Sequence, residues 1–508
     1  MWGPLRHIWR LWSVGRCFAQ HDLIYPLTTR GSLPWFLRVA RWIIHVSARR
    51  NPDILEKSLG ARLALALETL GPAFIKLGQA LTTRPDAISA PVAADLAKLQ
   101  DAVVAFDGAY AVAAIEDEFS LPLTALFAQF DETPIASASV AQVHKATTPD
   151  GETVAVKVLR PGIAEVFSRD LETFAWAAGQ LHRWVPRARR LRPRAVVRTL
   201  QRSVADELDL RLEASHASEL ADTMARQQGY KVPQVDWQRS GRTVLTLEWV
   251  EGIKPANAVQ LRAAGHDPAQ ISRRIVQVFL RQAMDQGFFH ADCHQGNLLI
   301  SADGTINALD FGIMGRLDMA SRRTLALILY GFLKRDYRGI AKLHFEAGYI
   351  DADQPLEDFA SALRAIGEPI TGKPLHSISV AKLLTQLLAT TERYSMRTQP
   401  QLIMLQKTMV MVEGLAYSLN PDLNMWETAR PVLEDWAKRN LAPEVQAADA
   451  FLEVYDALKA MPSQLERIAK GLENTEIAAE KTAQEARYKV PGIYWLLFGI
   501  ITVVAIIT

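Results

Sequence analysis

The sequence predicts an α+β chain of two lobes, a small one built round a β-hairpin and a larger, mostly helical one. A helical segment is added in front and an uncharged apolar segment behind. Three observations predict this. Asp150-Gly151 separates two runs of strand character, Gln142-Val143-His144-Lys145-Ala146 and Val154-Ala155-Val156-Lys157-Val158. An Asp-Gly pair between such runs is a strong hairpin signal. From 256 to 440 the pattern is helical, broken by two short apolar runs that flank polar clusters. These are Gly287-Phe-Phe-His290-Ala-Asp292-Cys-His294-Gln-Gly296-Asn297-Leu-Leu-Ile300 and Ala308-Leu-Asp310-Phe311-Gly312.

Composition bounds the function. The 508 residues suffice for two or three domains' worth of core. A net charge of +2 gives no sign of bulk nucleic-acid binding. Two cysteines, Cys17 and Cys293, cannot build a disulfide framework, which fits a reducing compartment.

Residues 1–54 form a basic amphipathic segment. Its first fifty residues hold eight Arg, no Lys and one acid, Asp22, together with Trp2, Trp9, Trp12, Trp35 and Trp42. Arg with Trp on short amphipathic stretches reads as contact with a membrane surface. An ordinary helix pair packed on the body is a second reading. An Arg-rich, acid-poor transit peptide is a third, weakened by the scarcity of Ser.

Residues 55–130 are a helical extension. Leu55, Leu59, Leu63, Leu67 and Leu70 recur at helical spacing up to Gly71-Pro72. A second helix starts there, since Pro is accepted just inside a helix start. On it Phe74, Leu77 and Leu81 share one face, and Lys76, Gln79 and Thr83 share another. By spacing alone that polar face is equally a solvated one.

Residues 131–255 make the small lobe. Lys157 lies inside an apolar β-branched strand, where a lysine must meet an anion or have its pKa depressed by burial. Protein kinases set such a lysine against the nucleotide's α- and β-phosphates and a helix Glu, beneath a Gly-rich loop. The equivalent loop here is Ala136-Ser137-Ala138-Ser139, with no glycine. Alanine and serine resist the positive-φ conformations that glycine permits, so the loop is expected to be stiffer or differently folded. A long helix is expected over about 195–227, with Asp209 and Glu213 on one face and Glu207 on another. Glu213 is the choice for the partner of Lys157. The strand from Arg242 to Leu247 runs into Glu248-Trp249-Val250, which suits a hinge whose backbone holds adenine.

Residues 256–440 make the large lobe and carry the chemistry. Asp292 and Asn297 are five apart, and Asp310-Phe311-Gly312 begins thirteen residues after Asn297. Kinases use that arrangement: an Asp beside the attacking hydroxyl, an Asn on a metal, and a second Asp bridging metal and phosphates. Mg²⁺ takes carboxylate and amide oxygens, and ATP supplies most of its other ligands. His290, Asp292, Cys293 and His294 also have zinc-ligand types, but zinc sites usually take a second ligand pair from elsewhere, and the other cysteine, Cys17, is far off in a basic segment.

Residues 441–488 read as a helical linker; within it 451–472 carry an apolar residue every seven (Phe451, Leu458, Leu465, Leu472), a seam for packing on the body or a short coiled coil, with Pro462 favouring packing. Residues 490–508 are uncharged, close to the length that spans a bilayer, with Arg487 and Lys489 just before and Tyr494 and Trp495 at the near end. This predicts a C-terminal transmembrane helix with the bulk of the chain on the cytoplasmic side.

Together the motifs resemble the UbiB family of atypical kinase-like proteins, which act in ubiquinone (coenzyme Q) biosynthesis. The pieces are Leu70-Gly-Pro-Ala-Phe-Ile-Lys76-Leu-Gly-Gln79 with Thr83-Arg84-Pro85-Asp86, the Ala-rich loop with Gln142-Val143-His144, Val154-Ala-Val-Lys157, Glu207-Leu-Asp209 with Glu213-Ala214, Phe289-His-Ala-Asp292, and Asp310-Phe-Gly312. They cover roughly 55–440. Cys293 and Gln295 depart from the usual Pro, Ser137 from a frequent Ala, and His216 from a common Asn.

The resemblance implies a two-lobed protein-kinase-like fold with an added helical layer. It implies that Lys76 and Gln79 lie over the active site as a regulatory extension, with Lys76 meeting Glu207 and Asp209. It implies a Lys157–Glu213 ion pair, Asp292 as base, and Asn297 and Asp310 on Mg²⁺, with ATP or ADP bound. The expected activity is ATP hydrolysis or phosphorylation of a small or lipid-like molecule in support of ubiquinone synthesis. A prenylated quinone precursor or membrane lipid, and other enzymes of that synthesis, are the expected partners at the inner (cytoplasmic) membrane. The alternative is a nucleotide-gated lipid-handling or scaffold protein. Protein kinase activity is opposed by the glycine-free loop and the overlying helix.

Overall fold

A computed structural model describes residues 3–23, 56–82, 105–184, 192–371 and 400–440, apart from 139 and 352, with a few isolated positions besides. The expected linker and apolar segment, 441–508, lie outside the described residues, as does Ser139. Among the described residues no helix is long and apolar enough to cross a membrane.

In chain order the helices and strands begin with α1 (Gly3–Gln20), α2 (Leu59–Leu70), α3 (Pro72–Thr82) and α4 (Gly108–Phe119). Strands β1 (Gln129–Phe130), β2 (Ala136–Ser137), β3 (Ala141–Thr147) and β4 (Thr153–Leu159) follow. Then come α5 (Ile163–Trp184), α6 (Pro193–Glu207), α7 (Leu210–Met224), β5 (Tyr230–Lys231), β6 (Val244–Glu248) and α8 (Pro268–Leu280). Strands β7 (Phe288–His290), β8 (Leu298–Ile300), β9 (Ile306–Ala308) and β10 (Met314–Arg316) precede α9 (Met319–Lys334), α10 (Tyr337–Glu346), α11 (Leu356–Thr371), α12 (Pro400–Leu419) and α13 (Met425–Asn440). The chain divides into two compact units. The first takes the described residues up to Leu212 and Asp236–Leu247; the second takes Glu213–Val235 and those from Glu248 on.

In the first unit a sheet runs β1-β3-β4-β6, with β2 also on β3; β1, β2 and β4 are antiparallel to β3. Gly151, at φ 87°, turns the chain between β3 and β4. Side chains alternate across a strand, so Val154, Val156 and Val158 enter a core with Ile115, Phe127 and Val244. Each such burial contributes about 1.5–3 kcal/mol. Lys157, opposite Val143 in register, stands on the other face.

The extension folds as its sequence dictates. Ser58 Oγ accepts the Ala61 N–H at the start of α2, and Gly71, at φ 106°, separates α2 from α3. Of the basic N-terminal segment, residues 3–23 pack on the body. Leu11, Val14, Phe18 and Leu23 are buried. Arg10 donates to both oxygens of the buried Asp170 on α5 at 2.6 and 2.8 Å. Trp9 is 73% exposed on this otherwise docked helix.

The expected helix over 195–227 is two helices. α6 ends at Glu207, and Asp209 caps α7 by accepting the Arg211 N–H at 3.2 Å. Asp209 therefore stands at a helix entrance rather than on a shared helical face with Glu213.

The second unit is mostly helical. Ile271, Ile275, Val276 and Phe279 of α8 are buried. Ser272 Oγ donates to the Ala416 carbonyl of α12 at 2.9 Å. Another core gathers Tyr337, Ile340, Phe359 and Leu363. Short strand pairs, β7 with β10 and β8 with β9, bring the polar clusters of the sequence together.

Candidate active site

α8 runs straight into a wide π-turn, Arg281–Gln286, which ends at Gly287. Gly287 is at φ 69°, and a Cβ there would meet the Leu317 carbonyl at 2.4 Å. Only glycine fits both conditions. The turn aims buried Gln282 so that its Oε1 accepts the His290 N–H at 3.0 Å. π-turns of this kind recur at functional sites.

From His290 onward the loop is held by its own polar groups. His290 Nδ1 accepts the Asp292 N–H at 3.1 Å, so the ring proton sits on Nε2, buried beside the backbone of Asp310. Burial pushes the imidazole pKa below its ordinary value against the pull of Asp310 and Asp292. Thr408 Oγ1 of α12 donates to the Ala291 carbonyl at 3.0 Å. His294 Nε2 lies 3.7 Å from Asp292 Oδ2. Asn297 Nδ2 donates to the Asp292 carbonyl at 3.1 Å.

The Asp310 turn is tied to this loop. The Leu309 N–H goes to the Asn297 carbonyl, and the Ala291 N–H to the Ile313 carbonyl, each at 3.0 Å. Asp310 Oδ1 accepts the Gly312 N–H at 3.0 Å. Glu213 Oε1 is 3.5 Å from the Phe311 N–H. Asp292, Asn297, Asp310 and Glu213 are thus all within one unit. Lys157 belongs to the other, on β4.

The donor set fits Mg²⁺. Asn297 donates its amide nitrogen to the Asp292 carbonyl, and Asp310 Oδ1 accepts the Gly312 N–H, so an amide and a carboxylate are set close together. One amide oxygen and one carboxylate oxygen are what a hard cation takes when phosphates complete its shell. Zinc fits poorly. Cys293 is buried, and its thiol is pushed up to about 12 by burial and by Asp292. Among the described residues no three His, Cys, Asp or Glu are grouped to hold a metal.

In the first unit Ala136 and Ser137 pair as a strand with Val143 and Gln142. The Ala138 N–H then closes a turn on the Ala141 carbonyl at 2.8 Å. The glycine-free loop is zipped to β3. Ser137 Oγ is shielded from solvent with no hydrogen-bond partner among the described residues, so a donor waits in that loop. Gln142 and His144 anchor the strand beneath. His144 Nδ1 donates to the Asp131 carbonyl at 2.8 Å, and its Nε2 accepts from Gln142 at 2.8 Å.

Lys76 Nζ meets Glu207 Oε1 at 2.6 Å. Asp209 does not join it. The Arg211 guanidinium takes Asp209 at 2.6 and 2.8 Å and holds its carboxyl below the ordinary range. Gln79, half-buried, stands on α3 three residues after Lys76. At the expected hinge, the Glu248 N–H goes to the Gln234 carbonyl at 2.8 Å, and its carboxylate takes Lys231 at 2.5 Å. The Glu248 amide and carboxylate are thus both engaged by residues of their own unit. Gln282 and the π-turn had no mark in the sequence: one Gln near a helix end looks like any other.

The fold and the site define an atypical kinase-like protein. The ABC1 atypical kinase-like domain matches residues 98–344, and the UbiB helical domain matches 363–424. The latter includes Thr408, which holds the Ala291 carbonyl. The "Probable protein kinase UbiB" of Marinobacter nauticus is 42% identical over 441 residues, 85% of this chain and 79% of that one. Its namesake from Pseudomonas fluorescens is 39% identical over 447 residues, 87% and 82% of the two chains. The chain belongs to the UbiB family. A solved Mycobacterium tuberculosis structure, the Rv3197–erythromycin complex, shares the fold, with a TM-score of 0.51 at 23% identity over 75% of this chain and 96% of that one.

Proposed function

We propose that this chain binds MgATP and turns it over at the inner membrane in support of ubiquinone synthesis, by hydrolysis or by transfer to a small or lipid-like acceptor. Asn297 and Asp310 hold the metal, which neutralises charge on the phosphates. Lys157, the Ala136–Ser139 loop and the Glu248–Val250 segment would hold the nucleotide. Asp292 receives the proton from the attacking hydroxyl or water.

The observation that carries the reading is the folded Asp310 turn beside an Asn297 whose amide nitrogen is held by the Asp292 carbonyl. A protein that only binds a nucleotide has no need of Asp292 as well. The family membership supports the ubiquinone connection, and residues 490–508 supply the anchor that would keep the body on the cytoplasmic face.

The relatives' printed name specifies a protein kinase. The strand-paired, glycine-free loop and the Lys76 extension favour a small or lipid-like acceptor over a peptide. The test is turnover by purified protein in liposomes, with and without a prenylated phenol, beside Asp292→Ala. Stimulation lost in the variant supports the reading. Nucleotide binding without turnover in the unmodified protein favours a nucleotide-gated scaffold, which the Lys76–Glu207 latch would also serve. Efficient transfer to added peptides overturns the choice of acceptor.

A further inference from the structure

α7 carries Glu213, His216 and Glu219 at intervals of three, along one side of the helix. Each engages the stretch that runs from the Asp310 turn into β10. Glu213 faces the Phe311 N–H, as above. His216 Nδ1 lies 3.1 Å from the Phe311 carbonyl oxygen. A carbonyl only accepts, so His216 donates. Glu219 takes both terminal nitrogens of Arg316 at 2.5 Å. The same guanidinium lies 4.3 Å above the Phe288 ring, and the His216 ring lies 6.2 Å from that ring.

One peptide links these contacts to the metal ligand. The carbonyl that His216 holds and the Gly312 N–H that Asp310 Oδ1 accepts belong to the same planar unit, Phe311–Gly312. Rotating that plane would release both bonds together. Phe311 is fully buried, so its side chain cannot follow such a rotation freely.

We infer that His216 is a positioning residue for Asp310: by fixing the Phe311–Gly312 peptide plane it fixes the carboxylate that meets the metal. The inference rests on the nucleotide reading for its consequence but not for its geometry. An Asn side chain carries an N–H donor as the imidazole does, so His216→Asn tests the donor apart from the ring.

The test compares His216→Ala and His216→Asn in the full chain. One readout is the Mg²⁺ concentration that half-saturates binding of a fluorescent ATP analogue, with metal-free binding as reference. The other is hydrogen exchange of the peptide covering residues 310–316. His216→Ala is expected to raise the Mg²⁺ requirement about tenfold, in keeping with the loss of one buried hydrogen bond. Metal-free binding and the melting temperature should stay near those of the unsubstituted protein. Exchange at 310–316 should quicken, and His216→Asn should restore most of both. An unchanged Mg²⁺ requirement and unchanged exchange overturn the inference. So does a parallel loss of metal-free binding and thermal stability, which marks a merely structural role. If the unsubstituted protein binds no nucleotide, the functional reading fails. The exchange comparison still decides the peptide-plane contact: quickened in Ala and restored in Asn supports it, unchanged overturns it.

Discussion

Lys76 Nζ lies 2.6 Å from Glu207 Oε1, joining the α3 extension to the C-terminal end of α6. Their side chains are 14% and 31% exposed, so solvent screens the pair only in part. The contact is stronger than an open surface pair and short of a buried one.

A double-mutant cycle with Lys76→Met and Glu207→Gln should therefore return a coupling of about 1 kcal/mol in unfolding free energy. Additive effects of the two substitutions would show that the extension is held by its apolar face alone.

Acid should weaken the fold in two stages. His144 and His344 are buried, and desolvation pushes both imidazoles below 6.5. Asp131 and Glu132 oppose this at His144, and the Ile340 carbonyl opposes it at His344. Below 6.5 the unfolded chain binds protons that the folded chain refuses. The stability these groups contribute is complete above 6.5 and is lost as pH falls from there towards their folded values. Glu219 and Asp318 are held below their ordinary values of 4.5 and 3.8 by Arg316 and by the Ser321 N–H respectively, so a second loss begins nearer those values. Unfolding midpoints measured from pH 7 to pH 4 should trace both stages. His344→Phe should flatten the first by at most about 1.4 kcal/mol per pH unit. An unchanged slope would mean that His344 is protonated in the fold.

Both cysteines should be inert in the native protein. Burial pushes Cys17 up to about 11 and Cys293 to about 12. At pH 8 their alkylation should be slower than that of a free thiol by a factor on the order of 10² or more. In denaturant both should react at once. Rapid native labelling at Cys293 would show that the loop after Asp292 opens.

The proximity of Asp292, Asn297 and Asp310 was legible because metal and phosphate chemistry would dictate residue types at close spacing, and all three are read from a single stretch. The β3–β4 hairpin was legible from Asp150-Gly151 for the same kind of local reason. What escaped depends on partners distant in sequence or on unmarked backbone changes. No Gly or Pro announces the break between α6 and α7. Asp209 makes it by capping, and Arg211, two residues on, removes it from Lys76. The Arg10–Asp170 pair spans 160 residues, so the docked face of α1 could not be told from a membrane-facing one. His216 was visible only as a departure from a family habit, and its use of the Phe311 carbonyl needed coordinates.

Asp310, set by its turn, is proposed to hold the Mg²⁺ of a bound nucleotide. The direct measurement is Mg²⁺-dependent ATP turnover by the purified chain in liposomes, set beside Asp310→Asn. The account predicts measurable turnover that falls by a factor on the order of 10² or more in the variant, while the melting temperature without nucleotide is kept. Turnover at the unsubstituted rate in Asp310→Asn would contradict it.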